Sequence, residues 1–292
     1  MLILVLSGGG LWSCAGIGAA AALRDMSITV EGYVGTSAGA LVAASLAAGR
    51  SPEWLRDAAA SLTARDFRLD WRAWARGALK REVPVSLFSA SAFDERLAFL
   101  WHGMSWEALK APLWVTVTSL VRRQVVVFGS HKPETSTGKL WDLIWRGQDI
   151  DLVTVLRASV AVPGLFPPVG VPGDWYVDGG VADDYPLDVA AWVGASQIIG
   201  VWVDESSALL WPPRYHGGHV VMAALAAMIR QLTLARQKPI DVPWVDVRME
   251  MEGGHRVFGR VTEIIQEGYD ATRASEDRIR MILDNNGGSM GS

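Results

Sequence analysis

Cysteine and histidine are scarce in this sequence, and no excess of basic charge is present. Cys14 is the single cysteine, which excludes a disulfide framework and a cysteine-based metal site within the chain. The formal net charge of −4 argues against a general nucleic-acid binder, because such proteins carry a broad basic excess. The lone thiol favours a reducing, cytoplasmic location, and we expect no nucleic-acid partner.

Long hydrophobic runs are missing as well. The opening apolar run covers only residues 2–6, which is too short for a signal peptide or a bilayer span. Half of the 292 residues are hydrophobic, however, which is enough for a substantial core. We predict a single domain over residues 1–284, with a helical insert at about 51–110 and a disordered tail at 285–292. This domain is expected in the cytoplasm or at the periphery of a membrane.

Two strand-turn-helix units open the chain. The apolar run at 2–6 is typical of a strand buried on both faces, and SGGG separates it from a helical run at 14–23. A second strand at 29–34 leads through a glycine-containing turn into a helix at 38–48. Tandem units of this kind predict an α/β fold with parallel strands, whose carboxyl ends place both glycine turns at one edge of the sheet.

Gly35 to Gly39 form a Gly-x-Ser-x-Gly pentapeptide at the second of these turns. At a strand-to-helix junction this pattern indicates a nucleophile elbow, with Ser37 standing clear of crowded backbone. The positive end of the following helix would stabilise an oxyanion formed beside it. An ordinary tight turn or helix cap stays open as the alternative.

Gly8, Gly9 and Gly10 follow the first strand and can turn successive backbone amides toward one point, as in an anion nest. A simple tight turn is the alternative. Nucleotide binding fits less well, because Ser13 occupies the place of the third glycine and the P-loop lysine is absent. An acyl oxyanion is the better match.

The sequence offers two kinds of base for Ser37. None of the five histidines has a distinctive setting; they are His102, His131, His216, His219 and His255. Asp178 has the stronger case, since YVDGGVADDYP places it at the end of a strand, before Gly179 and Gly180. Partial burial would raise its pKa from about 3.9 and make it a better base. A turn-capping role stays open.

Four stretches together identify the chain as similar to the patatin-like phospholipase family: SGGGLWSCAGIGAAAAL, GTSAGAL, RASVAVPGLFPPV and YVDGGVADDYPLDVA. The resemblance implies a three-layer α/β/α fold with a central, mostly parallel sheet and hydrolysis of acyl esters of lipids. It also implies a Ser–Asp dyad without histidine, without a metal and without a cofactor. Ser37 is then the nucleophile and Asp178 the base, and the backbone of Gly8, Gly9 and Gly10 forms the oxyanion hole.

The chain departs from the family pattern in two places. Trp12 and Ser13 stand where many members have a basic residue and then glycine, which puts the geometry of the oxyanion loop in question. Asp184 replaces a frequent asparagine and adds a carboxylate near the site. A metal cluster of Asp178, Asp183 and Asp184 is not supported by any known ligand spacing.

The segment RDFRLDWRAWARGALK predicts an amphipathic helix. Arg65, Arg68, Arg72 and Arg76 would share one face, and Phe67, Trp71, Trp74 and Ala78 the roughly opposite face. Such a helix packs its aromatic residues onto the core or, alternatively, contacts a lipid surface through these arginines with Trp71 and Trp74.

The leading interpretation is a lipid acyl hydrolase, of the phospholipase A or lysophospholipase-like esterase type. One alternative is a Ser-His-Asp esterase using His216, His219 or His255. The other is a catalytically silent lipid-binding or scaffold protein on the same fold, in which Trp12 and Ser13 mark decay of the oxyanion loop.

Overall fold

The computed structural model describes residues 1–63, 66–67, 69–71, 75, 79–80, 86–133, 143–204, 217–250 and 259–284. Its strands are β1 (Leu2–Leu6), β2 (Gly32–Thr36), β3 (Leu113–Ser119), β4 (Gln124–Gly129), β5 (Ile144–Gly147), β6 (Val169–Val171), β7 (Asp174–Asp178), β8 (Gln197–Asp204) and β9 (Trp244–Glu250). Its helices are α1 (Ala15–Asp25), α2 (Ala38–Ala47), α3 (Pro52–Ala60), α4 (Ala90–Leu100), α5 (Leu152–Ser159), α6 (Leu187–Trp192), α7 (Gly217–Gln237), α8 (Val261–Ala274) and α9 (Glu276–Asp284).

The described strands form one mixed, mostly parallel sheet. Its main order is β5-β4-β3-β2-β1-β8-β9, and β6 and β7 extend from β3. β1 is central, with β2 and β8 parallel on its two sides. The two glycine turns therefore lie at the same edge, where β1 and β2 end.

Side chains of β1 alternate between two cores, which explains its uninterrupted apolar sequence. Leu2, Leu4 and Leu6 pack with α1, α2 and α8, whereas Ile3 and Val5 pack with α6 on the opposite face. Helices thus cover both faces of the sheet, giving the α/β/α fold expected from the sequence. No helix of the described residues is long and apolar enough to cross a bilayer.

Two strands, β2 and β7, pair one after the other with the same edge of β3. β2 pairs with its first half in parallel, ending at Thr36↔Thr116. β7 pairs with its second half in the antiparallel sense, beginning at Val117↔Asp178. The carboxyl ends of β2 and β7 consequently meet head to head along β3.

Most predicted elements are confirmed, with shifted limits. The strand expected at 29–34 is Gly32–Thr36, the hairpin of β3 and β4 is present, and the Ser51 side chain caps α3 by accepting from the Trp54 amide. The helix expected near the C-terminal end divides into α8 and α9. Four elements had no prediction: β5, α5, β6 and β9.

The helix predicted across 65–78 is wrong at its start. Asp66 and Phe67 do not belong to an α-helix, and Leu69 instead forms an antiparallel bridge with Phe88. Phe67 packs into an aromatic cluster with Phe88, Phe93 and Phe166, which favours core packing for this residue. Arg65, Arg68, Arg72, Trp74, Arg76 and Ala78 lie outside the described residues, as does the tail 285–292. The predicted domain limits remain a prediction.

Candidate functional site

Ser37 lies between β2 and α2 in a strained backbone conformation. Its φ of 54° and ψ of −132° are rare for a residue with a side chain. Close packing of the turn enforces this shape, since a Cβ at position 39 would lie 2.3 Å from the Ser7 carbonyl oxygen. Likewise, a Cβ at position 35 would lie 2.6 Å from Cα of Ala40. The two glycines of the pentapeptide therefore let α2 begin close against the ends of β1 and β2.

The head-to-head meeting of β2 and β7 brings Asp178 to Ser37, although 141 positions separate them. The Ser37 hydroxyl donates to Asp178 Oδ2 at 2.6 Å. The Gly180 amide donates to the other carboxylate oxygen, Oδ1, at 2.8 Å. Ser37 is 7% exposed and Asp178 is 4% exposed. A buried carboxylate is thus oriented by hydrogen bonds to both of its oxygens, one of them donated by the Ser37 hydroxyl.

Close contact with β3 fixes the loop that carries Asp178. A Cβ at position 179 would lie 2.5 Å from the Thr116 carbonyl oxygen, so only glycine permits this approach. The Thr36 hydroxyl, one residue before Ser37, pairs with the Thr116 hydroxyl and also donates to the Asp183 carbonyl. These contacts tie the end of β2 to the aspartate loop.

Ser159 is a site residue that the sequence reasoning missed. Its hydroxyl accepts from the Ser37 amide at 2.9 Å and donates to the Thr116 carbonyl at 2.8 Å. It ends α5, and the Ala161 carbonyl just after it accepts from the Asp178 amide. The motif RASVAVPG therefore supports both members of the Ser–Asp pair. The sequence does not show this role, because it depends on contacts between segments that come together only in the folded chain.

The glycine loop lies against Ser37 but does not supply three available amides. The Gly8 amide donates to the Asp184 carbonyl at 3.0 Å, which removes it from the expected set. Gly9 and Gly10 have φ values of 130° and 58°, and within the described residues their amides donate no hydrogen bond. These two amides are the ones that an anion could use.

Trp12 and Ser13 fit the loop without opening it. Both lie in the short 3-10 helix that follows Gly9 and are buried. The Ser13 hydroxyl donates to the Ser7 carbonyl at 3.1 Å, and the guanidinium of Arg260 lies 5.4 Å from the Trp12 ring centre. The two departures from the family pattern therefore anchor the loop to β1 and α8.

The Asp184 side chain lies beside the Ser–Asp pair. A Cβ at Gly8 would lie 2.2 Å from Asp184 Oδ1 and 3.3 Å from the Ser37 Cβ. A Cβ at Gly180 would lie 2.8 Å from the same Asp184 oxygen and 3.1 Å from Asp178 Oδ1. The two glycines thus make room for a second carboxylate between the glycine loop and the loop that carries Asp178.

A buried charge cluster lies beneath the same loop. The Arg236 guanidinium is 2.6 Å from Asp188 and 3.4 Å from Asp183. Burial raises the pKa of Asp183 well above its ordinary value; Asp188 adds to the rise and Arg236 opposes it. Burial also raises the pKa of Asp188, against the effect of Arg236. The cluster links α7 to the loop between Asp178 and α6.

The two histidines whose side chains are described lie at the surface, whereas Ser37 is buried. His102 and His131 are exposed, and His131 contacts Ser130. His216 and His255 lie outside the described residues, and for His219 only the backbone is described. Within the described part of the chain, the titratable side chain that contacts the Ser37 hydroxyl is that of Asp178.

The fold and the site together define an α/β protein with a serine–aspartate pair at the carboxyl edge of its sheet. Comparison with known proteins refines this class. A family model for patatin-like phospholipases matches residues 4–191. Because it matches more than half of the chain, the protein belongs to the patatin-like phospholipase family.

Individual relatives are moderately similar. Patatin-like phospholipase domain-containing protein 7 of Rattus norvegicus is 28% identical over 203 residues, which cover 68% of this chain and 13% of the relative. An uncharacterized NTE family protein of Mycobacterium bovis is 30% identical, covering 78% of this chain and 55% of the relative. The solved structure of VipD from Legionella pneumophila aligns with a TM-score of 0.46 at 15% identity, over 97% of this chain and 66% of that one. The chain therefore spans only part of the length of these relatives.

Proposed function

We propose that this protein is a lipid acyl hydrolase in which Ser37 is the nucleophile and Asp178 the general base. One observation carries the proposal: the buried Asp178 carboxylate accepts a hydrogen bond from the Ser37 hydroxyl, at 2.6 Å between the oxygens. A base within hydrogen-bond reach of the hydroxyl is what nucleophilic catalysis by serine requires. Membership of a phospholipase family supports lipid as the substrate class.

The reaction proceeds in two halves. Ser37 Oγ attacks the ester carbonyl carbon while its proton passes to Asp178, and the carbonyl oxygen becomes an oxyanion. The amides of Gly9 and Gly10, with the amino end of α2, stabilise this charge. The bond between the carbonyl carbon and the alcohol oxygen then breaks, and Asp178 passes its proton to that oxygen, which leaves an acyl–Ser37 ester. In the second half, Asp178 takes a proton from water while the water oxygen attacks the acyl carbon. The bond to Ser37 Oγ breaks, Asp178 returns the proton to Oγ, and the fatty acid is released.

The surroundings of the pair suit a phospholipase A or lysophospholipase-like reaction. The segment that accepts from the Asp178 amide continues into Phe166, which packs 4.8 Å from Phe93 between ring centres. This segment thus joins the loop that positions Asp178 to an apolar cluster, and apolar side chains are the lining that an acyl chain requires. The sequence suggests membrane contact through four arginines with Trp71 and Trp74. Of these residues the structure describes only Trp71, whose exposed fraction is 68%. The cytoplasmic location stays a prediction.

The first test uses a lipid-like fluorophosphonate with intact-mass detection. We expect a single adduct on the wild type and none on Ser37→Ala. Asp178→Asn should label about 10²- to 10⁴-fold more slowly, because general-base assistance is lost while the shape is kept. Fatty-acid release from a lysophospholipid should follow the same order.

Histidine variants separate the two enzyme mechanisms. His219→Ala, His216→Ala and His255→Ala should each retain labelling and turnover if Asp178 is the base. A loss of several orders of magnitude in one of them would instead identify a Ser-His-Asp esterase. A folded wild type that binds liposomes but neither labels nor releases fatty acid would make the protein a silent lipid-binding scaffold.

A further inference from the structure

Two hairpins extend beyond the Ser–Asp pair at the active edge of the sheet. β3 continues from Thr116, level with the end of β2, to Ser119, which is about 10 Å farther at 3.3 Å per residue. β7 pairs with this extension, and β6 pairs with β7. We define the arm as residues 119–124, the turn between β3 and β4, together with residues 169–176.

The tip of the arm exposes large apolar side chains. Leu120 is 49% exposed, Val121 is 60% exposed and Trp175 is 54% exposed. The three are neighbours, because the Leu120 amide donates to the Trp175 carbonyl at 2.9 Å. The Trp175 ring lies over Gly170, where a Cβ would be only 2.8 Å from it. Turns at hairpin tips are normally polar, so an apolar tip on a rigid extension indicates a contact surface.

Arginine side chains flank this apolar tip. Arg122 and Arg123 follow Val121 directly, and both are exposed. Asp174 is the single acid in the arm, and it is buried, accepting from the Ser119 hydroxyl and the Trp175 amide. Arg122 lies 3.7 Å from Asp174 yet keeps 53% of its side chain exposed. The arm therefore presents positive charge on a molecule whose net charge is −4.

We propose that the arm docks onto an anionic lipid surface, with Leu120, Val121 and Trp175 entering the interface and the arginines meeting the headgroups. Tryptophan at the interface, short aliphatic side chains below it and guanidinium groups among anionic headgroups form the pattern of peripheral membrane contact. The arm lies at the edge from which Ser37 opens, so docking brings the proposed active site to the lipid. The inference rests on the proposed function in assigning lipid as the partner.

Vesicle sedimentation tests the proposal independently of hydrolysis. All proteins carry Ser37→Ala, so the lipid stays intact, and vesicles consist of phosphatidylcholine with or without phosphatidylglycerol. Val121→Asp should weaken partition onto the mixed vesicles about 10-fold or more, since a carboxylate enters the interface. Arg123→Asn, which tolerates the left-handed φ of 59°, should reduce the preference for phosphatidylglycerol. Met281→Asp on α9, where the side chain is 63% exposed, is the matched control and should bind as the parent does.

Two further measurements separate a loss of vesicle binding from a loss of folding or of Ser37 reactivity. Thermal melting should show equal folding of all variants. In proteins that retain Ser37, Val121→Asp should label with a small soluble fluorophosphonate at the wild-type rate. If the wild type labels but the Ser37→Ala parent does not bind the vesicles, the docking proposal alone is overturned. Equal partition of the parent and Val121→Asp would overturn it too. Vesicle binding without labelling would overturn only the proposed function.

Discussion

At the scale of single residues, the site depends on holding Ser37 in a conformation that it would not adopt alone. A strained residue of this kind costs on the order of 1–3 kcal/mol and persists only where neighbours over-determine it. Here the neighbours are Gly39, which permits close packing, and Ser159, which accepts from the Ser37 amide. Gly39 stands in a recognisable motif, whereas Ser159 becomes visible only when α5 is packed against β3.

Replacement of Ser159 by alanine should therefore affect both stability and reactivity. The Ser37 amide would be buried without its partner, which costs about 1–3 kcal/mol. We expect a lower free energy of unfolding in urea and slower fluorophosphonate labelling of Ser37. Ser159→Thr, which keeps the hydroxyl, should recover labelling.

The matched control is Ser275→Ala, a buried serine whose hydroxyl bonds the Ala271 carbonyl away from the site. It should label at the wild-type rate. If Ser159→Ala loses stability but labels normally, Ser159 has only a structural role.

At the scale of elements, local apolar patterns predict several strands and helices, whereas features that depend on pairing between distant segments are missed. The buried runs of β1 and β8 and the glycine-bounded α2 are evident from apolar patterns. The start of the helix predicted over 65–78 is wrong because Leu69 bridges Phe88, a pairing that outweighs the local helical spacing, whereas Trp71 and Ala75 are helical. The register that sets Asp178 opposite Val117 has no local signal at all. The family resemblance thus pairs Ser37 with Asp178, but no local pattern shows how the strands bring the two side chains into contact.

The cluster of Asp183, Asp188 and Arg236 makes stability depend on pH. In the unfolded chain, Asp183 loses its proton near the ordinary aspartate pKa of 3.8. In the folded protein the pKa of Asp183 is raised, so the carboxyl group keeps its proton to a higher pH. Over that interval the folded state binds more protons, so the free energy of unfolding falls as pH rises, until the folded pKa is passed.

Asp183→Asn should remove this contribution. Urea unfolding at several pH values upward from 4 should show a shallower fall in stability for the variant than for the wild type. Asp57→Asn, at an exposed carboxylate, should keep the wild-type slope. Parallel curves for Asp183→Asn and the wild type would contradict the assignment of the proton to Asp183.

At the scale of the whole molecule, the site is assembled from distant parts of one sheet and its covering helices. Ser37 comes from β2, Asp178 from β7, and the glycine loop from β1. Arg236, on α7, lies beyond the part of the chain that the family model matches. Because these elements share two cores, opening of the fold should disrupt the site as a unit rather than piece by piece.

Cys14 offers a reporter for such opening. It follows the glycine loop, is 7% exposed, and burial raises the pKa of its thiol to about 12. Since the thiolate is the reactive form, native protein should resist a disulfide reagent at pH 8 and react with one equivalent after unfolding in guanidinium. Where closing is fast, the slow native reaction measures the opening equilibrium, so Ser159→Ala should accelerate it about tenfold for each 1.4 kcal/mol of stability lost.

A surface thiol calibrates this measurement. Ser61→Cys in a Cys14→Ala background should react at once, because position 61 is exposed. Immediate reaction of native Cys14 would place its thiol at the surface and contradict its burial. A Ser159→Ala variant that loses stability without faster Cys14 reaction would show that the region around Ser37 opens separately from the region around β1, and that the site is not one cooperative unit.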